Sequence, residues 1–313
     1  MVGTPAARRL GTSIVILVVA LLVAARAIGM YPWNDRIFDL WAYWMTRFGL
    51  DYSSAVPGHT GDYLYSPAFA QLIAPLTALP LPLFAAAWTA LLAGILYWLT
   101  GWRAVMVGLF APVAISLAIG QTDLLMAAAI VIGFRWPAAW VIPFITKVTP
   151  GIGVLWFAFR REWRAFWIAT GATAAIVGLS VLLNPAAWLG WLEMLFRLQF
   201  PNPGDGVYLP VPLWVRLPLV VALLWWGARS DRRWTVPVAV CCSLPTVWIN
   251  TPTILVACLP LIDWAAEAPA GRWVRASGAR LAWTPLRVRR TARRAGLTLR
   301  RELSGLGAGM LRG

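Results

Sequence analysis

Thr12-Ser-Ile-Val-Ile-Leu-Val-Val-Ala-Leu-Leu-Val-Ala-Ala-Arg-Ala-Ile-Gly-Met30 is an almost unbroken apolar run behind a short basic lead, Arg8 and Arg9. About 20 apolar residues cross the roughly 30 Å hydrocarbon layer of a bilayer, so the run reads as a first membrane helix. Ala24-Ala-Arg-Ala resembles the small-residue cleavage site of a secretory signal. An uncleaved span is the preferred reading because further spans follow, and in both cases the chain after Met30 emerges outside. Composition agrees: 60% of the residues are hydrophobic and only 12% are charged, against about 25% charged in soluble domains. A soluble chain could not cover its surface with so few charges. The 21 tryptophans suit a headgroup boundary, where an indole ring is half-buried and its N–H stays wet.

Working outward, Trp33-Asn-Asp-Arg-Ile-Phe-Asp-Leu-Trp-Ala-Tyr-Trp44 opens a polar and aromatic loop reaching Ser66, which carries Asp35, Asp39, Asp51, Asp62 and the lone histidine, His59. Pro67–Leu81 is apolar but cut by Pro75 and Pro80, so a short re-entrant piece is expected, then a helix over Leu83–Leu99. Proline removes a helical hydrogen bond that lipid cannot replace. Ala104–Ile119 is predicted to cross outward, Gly120-Gln-Thr-Asp123 to turn, and Leu124–Phe134 to return to Arg135. Trp136–Thr146 and Val148–Phe159, flanking Lys147, are too short to span and are expected to line a cavity. Ala165–Leu183 and Pro212–Trp226 are further spans around a second polar-aromatic loop, Asn184–Val211, and Trp234–Leu261 is a hairpin turning at Asn250-Thr-Pro.

The total is about ten spans, several of them short or re-entrant, in an all-α polytopic protein with both termini cytoplasmic. Arg103, Arg135, Arg160–Arg164, Arg229–Arg233 and the tail all fall on one side in this arrangement, as the positive-inside rule requires. The polar loops then share the outer face. Residues 1–270 are read as the membrane domain and 271–313 as a basic cytoplasmic tail, whose eleven arginines face a single glutamate, Glu302. The formal net charge is +15, but the arginines sit at segment ends rather than along a groove. Anionic membrane lipids, not nucleic acid, are the partner this implies.

The chain lacks a Gly-x-Gly-x-x-Gly, a Walker loop, a His-Glu-x-x-His and a Gly-x-Ser-x-Gly. One histidine, and three cysteines (Cys241, Cys242, Cys258) inside apolar runs, offer no metal-ligand spacing. No metal and no cofactor are expected, and acid–base work falls to carboxylates. Asp35 and Asp39 lie among Trp33, Phe38, Trp41, Tyr43 and Trp44, four residues apart and hence on one helical face. Aromatic walls strip hydration from a carboxylate and make its ionised form a better base. The plainer reading is a helix end with solvated acids, and physical reasoning leaves Asp35 and Asp39 level.

Asp39-Leu-x-x-Tyr43, Gly49, Tyr52, Tyr63-Leu-Tyr65-x-Pro67 and Pro75-Leu-x-x-Leu-Pro80 together resemble the first loop of the glycosyltransferase 87 family. Gly120-Gln121-x-Asp123-Leu-Leu, where many members carry Asn at the aspartate position, and Lys147-x-x-Pro150 followed by Arg160-Arg-x-Trp-Arg164 extend the likeness over roughly residues 12–265. The resemblance implies a GT-C-type bundle in the plasma (inner) membrane. It also implies inverting transfer of a hexose, most often mannose, from a polyprenyl phosphate to a lipid or glycan acceptor at the outer face. It selects Asp39 as general base over Asp35.

Lys147 is the only lysine, against 26 arginines. An ammonium between short segments is costly unless it meets an anion or water, and a donor phosphate would serve, with Gln121, Asp123 and Arg197 as further donor contacts. A snorkelling helix-end lysine is the alternative. Tyr43, Tyr63, Tyr65 and His59 are candidate sugar or lipid contacts, although single interfacial aromatics are more often belt residues. A non-catalytic lipid or sugar-lipid carrier or flippase is the rival class. Carriers are built on internal repeats, and none is evident here.

Overall fold

The computed structural model describes residues 5–28, 38–198 and 211–262. All regular structure among them is helical. The order is α1 (Pro5–Ala27), α2 (Phe38–Met45), α3 (Pro67–Thr77), α4 (Leu81–Thr100), α5 (Ala104–Gly108), α6 (Ala111–Ile119) and α7 (Asp123–Gly133). Then come α8 (Val141–Lys147), α9 (Leu155–Phe159), α10 (Trp163–Leu183), α11 (Pro185–Arg197), α12 (Leu213–Ser230), α13 (Thr235–Cys242) and α14 (Cys258–Leu261), with short 3-10 turns between several of them.

Three helical stretches among the described residues are long and apolar enough to cross a membrane: Arg9–Arg26, Leu81–Gly108 and Trp163–Leu183. A fourth arises if α6 and α7, bent by 107° at Gly120–Thr122, count as one broken span. The expected count of about ten spans, several short or re-entrant, is not confirmed among the described residues, where most of the other apolar segments are short or kinked. Only 11% of the α1 and α10 windows is buried, so most of their Leu and Ile side chains face outward, as lipid-facing helices do.

The expected outward span Ala104–Ile119 is two pieces. Phe110 is extended and Pro112 stands in the first turn of α6, where its missing N–H is harmless, whereas one helix continuing through it would lose a hydrogen bond. The second polar loop also begins differently. Asn184 caps α11, its side chain accepting from the Ala187 N–H at 3.1 Å, with Pro185 at the first helical position. Asn-Pro is a strong helix-start pair, and half of that loop is an amphipathic helix burying Ala187, Trp191 and Met194. The short pieces around Lys147 are as expected. α8 ends at Lys147, and Val148 sits at φ 55°, ψ −65°, a conformation that a β-branched residue rarely adopts.

Two apolar clusters organise the packing. One gathers Leu40, Tyr43, Tyr65, Phe69, Phe84, Trp88 and Leu124 beneath α2; the other joins Trp140, Trp156, Phe157, Val236, Val240 and Ile254. α7 packs on both α4 and the 3-10 turn Thr251–Ala257, and so brings the end of the chain's last hairpin to the loop that follows α6. Arg26, in the last turn of α1, is buried and donates to the Ala118 carbonyl, tying α1 to the end of α6.

Gly120 closes α6 in the left-handed region at φ 79°, and a Cβ there would stand 2.3 Å from Leu40 Cγ. Gly120→Ala is therefore expected to cost about 2–4 kcal/mol, the sum of a strained φ and an overpacked contact. Thermal unfolding in detergent measures it. Gly94→Ala, where an added Cβ meets nothing within 4 Å, should be neutral or stabilising in mid-helix.

Candidate active site

α2 places Asp39 in its first turn, where the helix dipole favours a negative charge, and Tyr43 one turn on, along the same face. The Asp51–Ser66 loop supplies the second wall. Tyr52 donates to the Tyr65 carbonyl at 2.9 Å, Trp191 Nε1 to the Leu64 carbonyl at 3.2 Å, and Ser66 Oγ to the Ile145 carbonyl at 2.6 Å. These bonds fix the backbone around Tyr65 against α8 and α11.

Tyr65 is the hub. Its hydroxyl lies 3.2 Å from Asp39 Oδ1, 3.0 Å from Gln121 Oε1 and 3.0 Å from the Tyr43 hydroxyl, which is itself 3.5 Å from Asp39 Oδ1. A phenol has one proton to give. With Asp39 ionised, Tyr65 donates to Asp39 and Tyr43 donates to Tyr65. Gln121 Oε1 still receives the Thr122 N–H at 3.1 Å. Burial raises Asp39 to about 7; the Lys147 ammonium opposes this, Asp123 adds to it, and the Tyr65 and Tyr43 hydrogen bonds oppose it. Burial also pushes the Tyr43 and Tyr65 phenols well above their ordinary range, with the nearby phenol and carboxylate charges adding to it, so both remain donors.

A second polar group adjoins the first. Lys147 Nζ is 3.0 Å from Asp123 Oδ1, and Asn250 Nδ2 donates to Asp123 Oδ2 at 2.7 Å. Asp123 is fully buried while the Lys147 side chain keeps 17% exposure. Asp39 is also partly exposed, whereas Tyr43, Tyr65, Gln121, Asp123 and Asn250 are buried. The charges within reach of an incoming molecule are thus one carboxylate and one ammonium, each held from behind by buried partners. Of its three N–H donors, Lys147 directs one to Asp123.

The structure brings together Asp39, Tyr43, Tyr65, Gln121, Asp123 and Lys147 from the sequence-predicted set. Tyr63 lines the same aromatic cluster but donates to the Ser66 carbonyl at 3.1 Å. His59 is 76% exposed and pairs with Asp62 at 3.4 Å. Arg197 donates to the Tyr52 and Ala55 carbonyls at 2.8 and 3.0 Å, strapping α11 to the loop rather than meeting Lys147. Asp35 lies outside the described residues, as does the basic tail. Asn250 was missed: it reads as a hairpin turn, yet an amide inside an apolar hairpin is itself a site signal. Among the described residues no three His, Cys, Asp or Glu side chains are grouped to hold a metal ion.

Comparison with known proteins adds the following. The family described as "Glycosyltransferase family 87" matches residues 63–306, which takes in Tyr63, Tyr65, Gln121, Asp123, Lys147 and Asn250 but begins after Asp39 and Tyr43. An adenosylcobinamide-GDP ribazoletransferase of Laribacter hongkongensis (strain HLHK9) is 27% identical over 116 residues, 31% of this chain and 46% of that protein. The chain thus spans less than half the length of that relative. No solved structure matches.

Proposed function

Because the chain belongs to glycosyltransferase family 87, and is accordingly a membrane glycosyltransferase, we propose that it transfers a hexose, mannose first among candidates, from a polyprenyl phosphate with Asp39 as the general base. The acceptor is a lipid or glycan hydroxyl at the outer face of the plasma membrane, and both termini are cytoplasmic. Residues 1–270 carry the reaction and 271–313 hold anionic lipid.

The supporting observation is a partly open carboxylate packed on two phenols, with burial raising it to about 7, next to a lysine clamped by buried Asp123 and Asn250. In the reaction the acceptor hydroxyl gives its proton to Asp39 as its oxygen bonds to the anomeric carbon from the side opposite the phosphate. The anomeric C–O bond breaks, its electron pair stays on the phosphate oxygen, and configuration inverts. Charge growing on that oxygen is stabilised by the remaining Lys147 donors, a compact cation suited to phosphate. The Gln121 amide adds a neutral donor for a sugar hydroxyl. A sugar-lipid carrier, the rival reading, has no need of a carboxylate held near neutrality.

The test is a pH profile of kcat/KM, which reports the free enzyme, with labelled polyprenyl-phosphate mannose. A base must be ionised, so the rate should rise roughly tenfold per unit below about 7 and level off above it. A profile flat through that region would remove Asp39 from the base role. Polyprenyl-phosphate glucose used equally well would remove the preference for mannose.

A further inference from the structure

The polar site stands at one end of α7, a helix of about 16 Å at 1.5 Å per residue, and Arg135 lies just past the other end. There the turn after α7 meets the turn before α10. Between them is a cavity of about 760 Å³ lined by Arg135, Trp136, Arg161, Trp163, Arg164 and Ile168, among others. Among the described residues the guanidinium groups of Arg135, Arg161 and Arg164 make no hydrogen bond or ion pair. Glu162, the carboxylate in the lining, is already engaged by Arg160 at 2.7 Å, and Arg160 is anchored in turn on Asp231 at 2.9 Å. With Arg160 and Asp231 counted, four guanidiniums stand against two carboxylates, and the cavity keeps a net positive charge of two.

Three further features point to an anion with an apolar tail. α10 starts in the cavity wall without a side-chain cap, so its first N–H groups present a weak positive end. Trp136 and Trp163 are 65% and 52% exposed, as indoles are at headgroup level. From Ile168 onward the α10 surface is exposed and apolar, a track for an acyl chain. Arg161 itself sits at φ 58°, where glycine is at ease and an arginine costs about 1–2 kcal/mol. The turn thus carries a charge at a strained position.

We propose that this cavity binds the phosphate headgroup of an anionic membrane phospholipid, with an acyl chain lying along α10. By the positive-inside rule it faces the inner leaflet, remote from the transfer site. The test is thermal unfolding of the full chain in phosphatidylcholine micelles titrated with phosphatidylglycerol, for wild type and R135Q/R161G/R164Q. Arg161→Gly removes the charge while relieving the backbone, so the triple variant should melt like wild type in neutral lipid. The phosphatidylglycerol needed for half-maximal stabilisation should rise about a hundredfold, from roughly fivefold per basic residue at an anionic surface. Arg135→Gln and Arg164→Gln alone, at exposed positions, should each show about fivefold and keep the question open to an answer if the triple variant fails to fold. Arg229→Gln, whose guanidinium rests over Trp225, should change nothing. An unchanged phosphatidylglycerol dependence in the variants would overturn the proposal, as would equal stabilisation by inorganic phosphate, which would make the cavity a site for a soluble anion.

Discussion

Asp39→Asn should lower transfer from labelled polyprenyl-phosphate mannose by about 10²–10⁴-fold, the range for removing a positioned general base. The substitution keeps size and shape, and its amide oxygen can still accept from Tyr65, 3.2 Å from Oδ1 in the native site. Folding should be preserved, and the loss should appear in kcat with a smaller change in KM for the donor. The pH dependence near 7 should vanish with it. Asp35→Asn is the companion experiment, because that residue is four positions away. Wild-type turnover in Asp39→Asn combined with loss in Asp35→Asn would transfer the role to Asp35. Full activity in both would end the carboxylate mechanism.

The second large effect concerns Lys147. It looks like a solitary helix-end charge whose replacement by Met would leave the fold intact, but the ion pair with Asp123 changes that expectation. Removing one member of a buried pair costs about 3–5 kcal/mol because the other is left uncompensated. Asp123 is the fully buried partner, whereas Lys147 has 17% exposure and can turn to water. Lys147→Met should therefore destabilise by about 3 kcal/mol, and Asp123→Asn by less. In the double variant Lys147→Met/Asp123→Asn no charge remains to strand, and most of the stability should return. Donor use should not return. Stability and transfer recovering together would make Lys147 a structural residue only; an additive double variant would show that the two side chains are not coupled. Denaturation in detergent and donor titration give the two readouts.

Much of the site was legible because its parts are local. Asp39 and Tyr43 share a helix face at a spacing of four, and Tyr65 lies in a loop whose aromatic density marks it. The short stretches flanking Lys147 betray themselves by length. The pairing of Asp123 with Asn250 was not legible, since 127 residues separate them and only the packing of α7 against the last hairpin joins them. Arg197 misled for a related reason. An arginine on a polar loop looks available, yet once Asn184 and Pro185 start α11 its guanidinium is carried to the Tyr52 and Ala55 carbonyls. The break between α5 and α6 was signalled by Pro112, but the apolar run around it outweighed one proline.

α7 has a further consequence for the bilayer. A helix of about 16 Å is roughly half the thickness of a hydrocarbon core. On the proposed topology, which sets Arg135 at the inner headgroup layer, the carboxylate–lysine cluster at the other end of α7 would reach only part of the way to the opposite layer. Hydrophobic mismatch of that size is relieved by local thinning or by water entering from above. On the reading proposed above, the phosphate of a polyprenyl donor would have to sink below the plane of its neighbours to reach Lys147, while its long isoprenoid chain stayed in hydrocarbon. A transferase built this way should be sensitive to membrane thickness as well as to substrate, and its turnover in bilayers of graded acyl length would report how deep the phosphate must go.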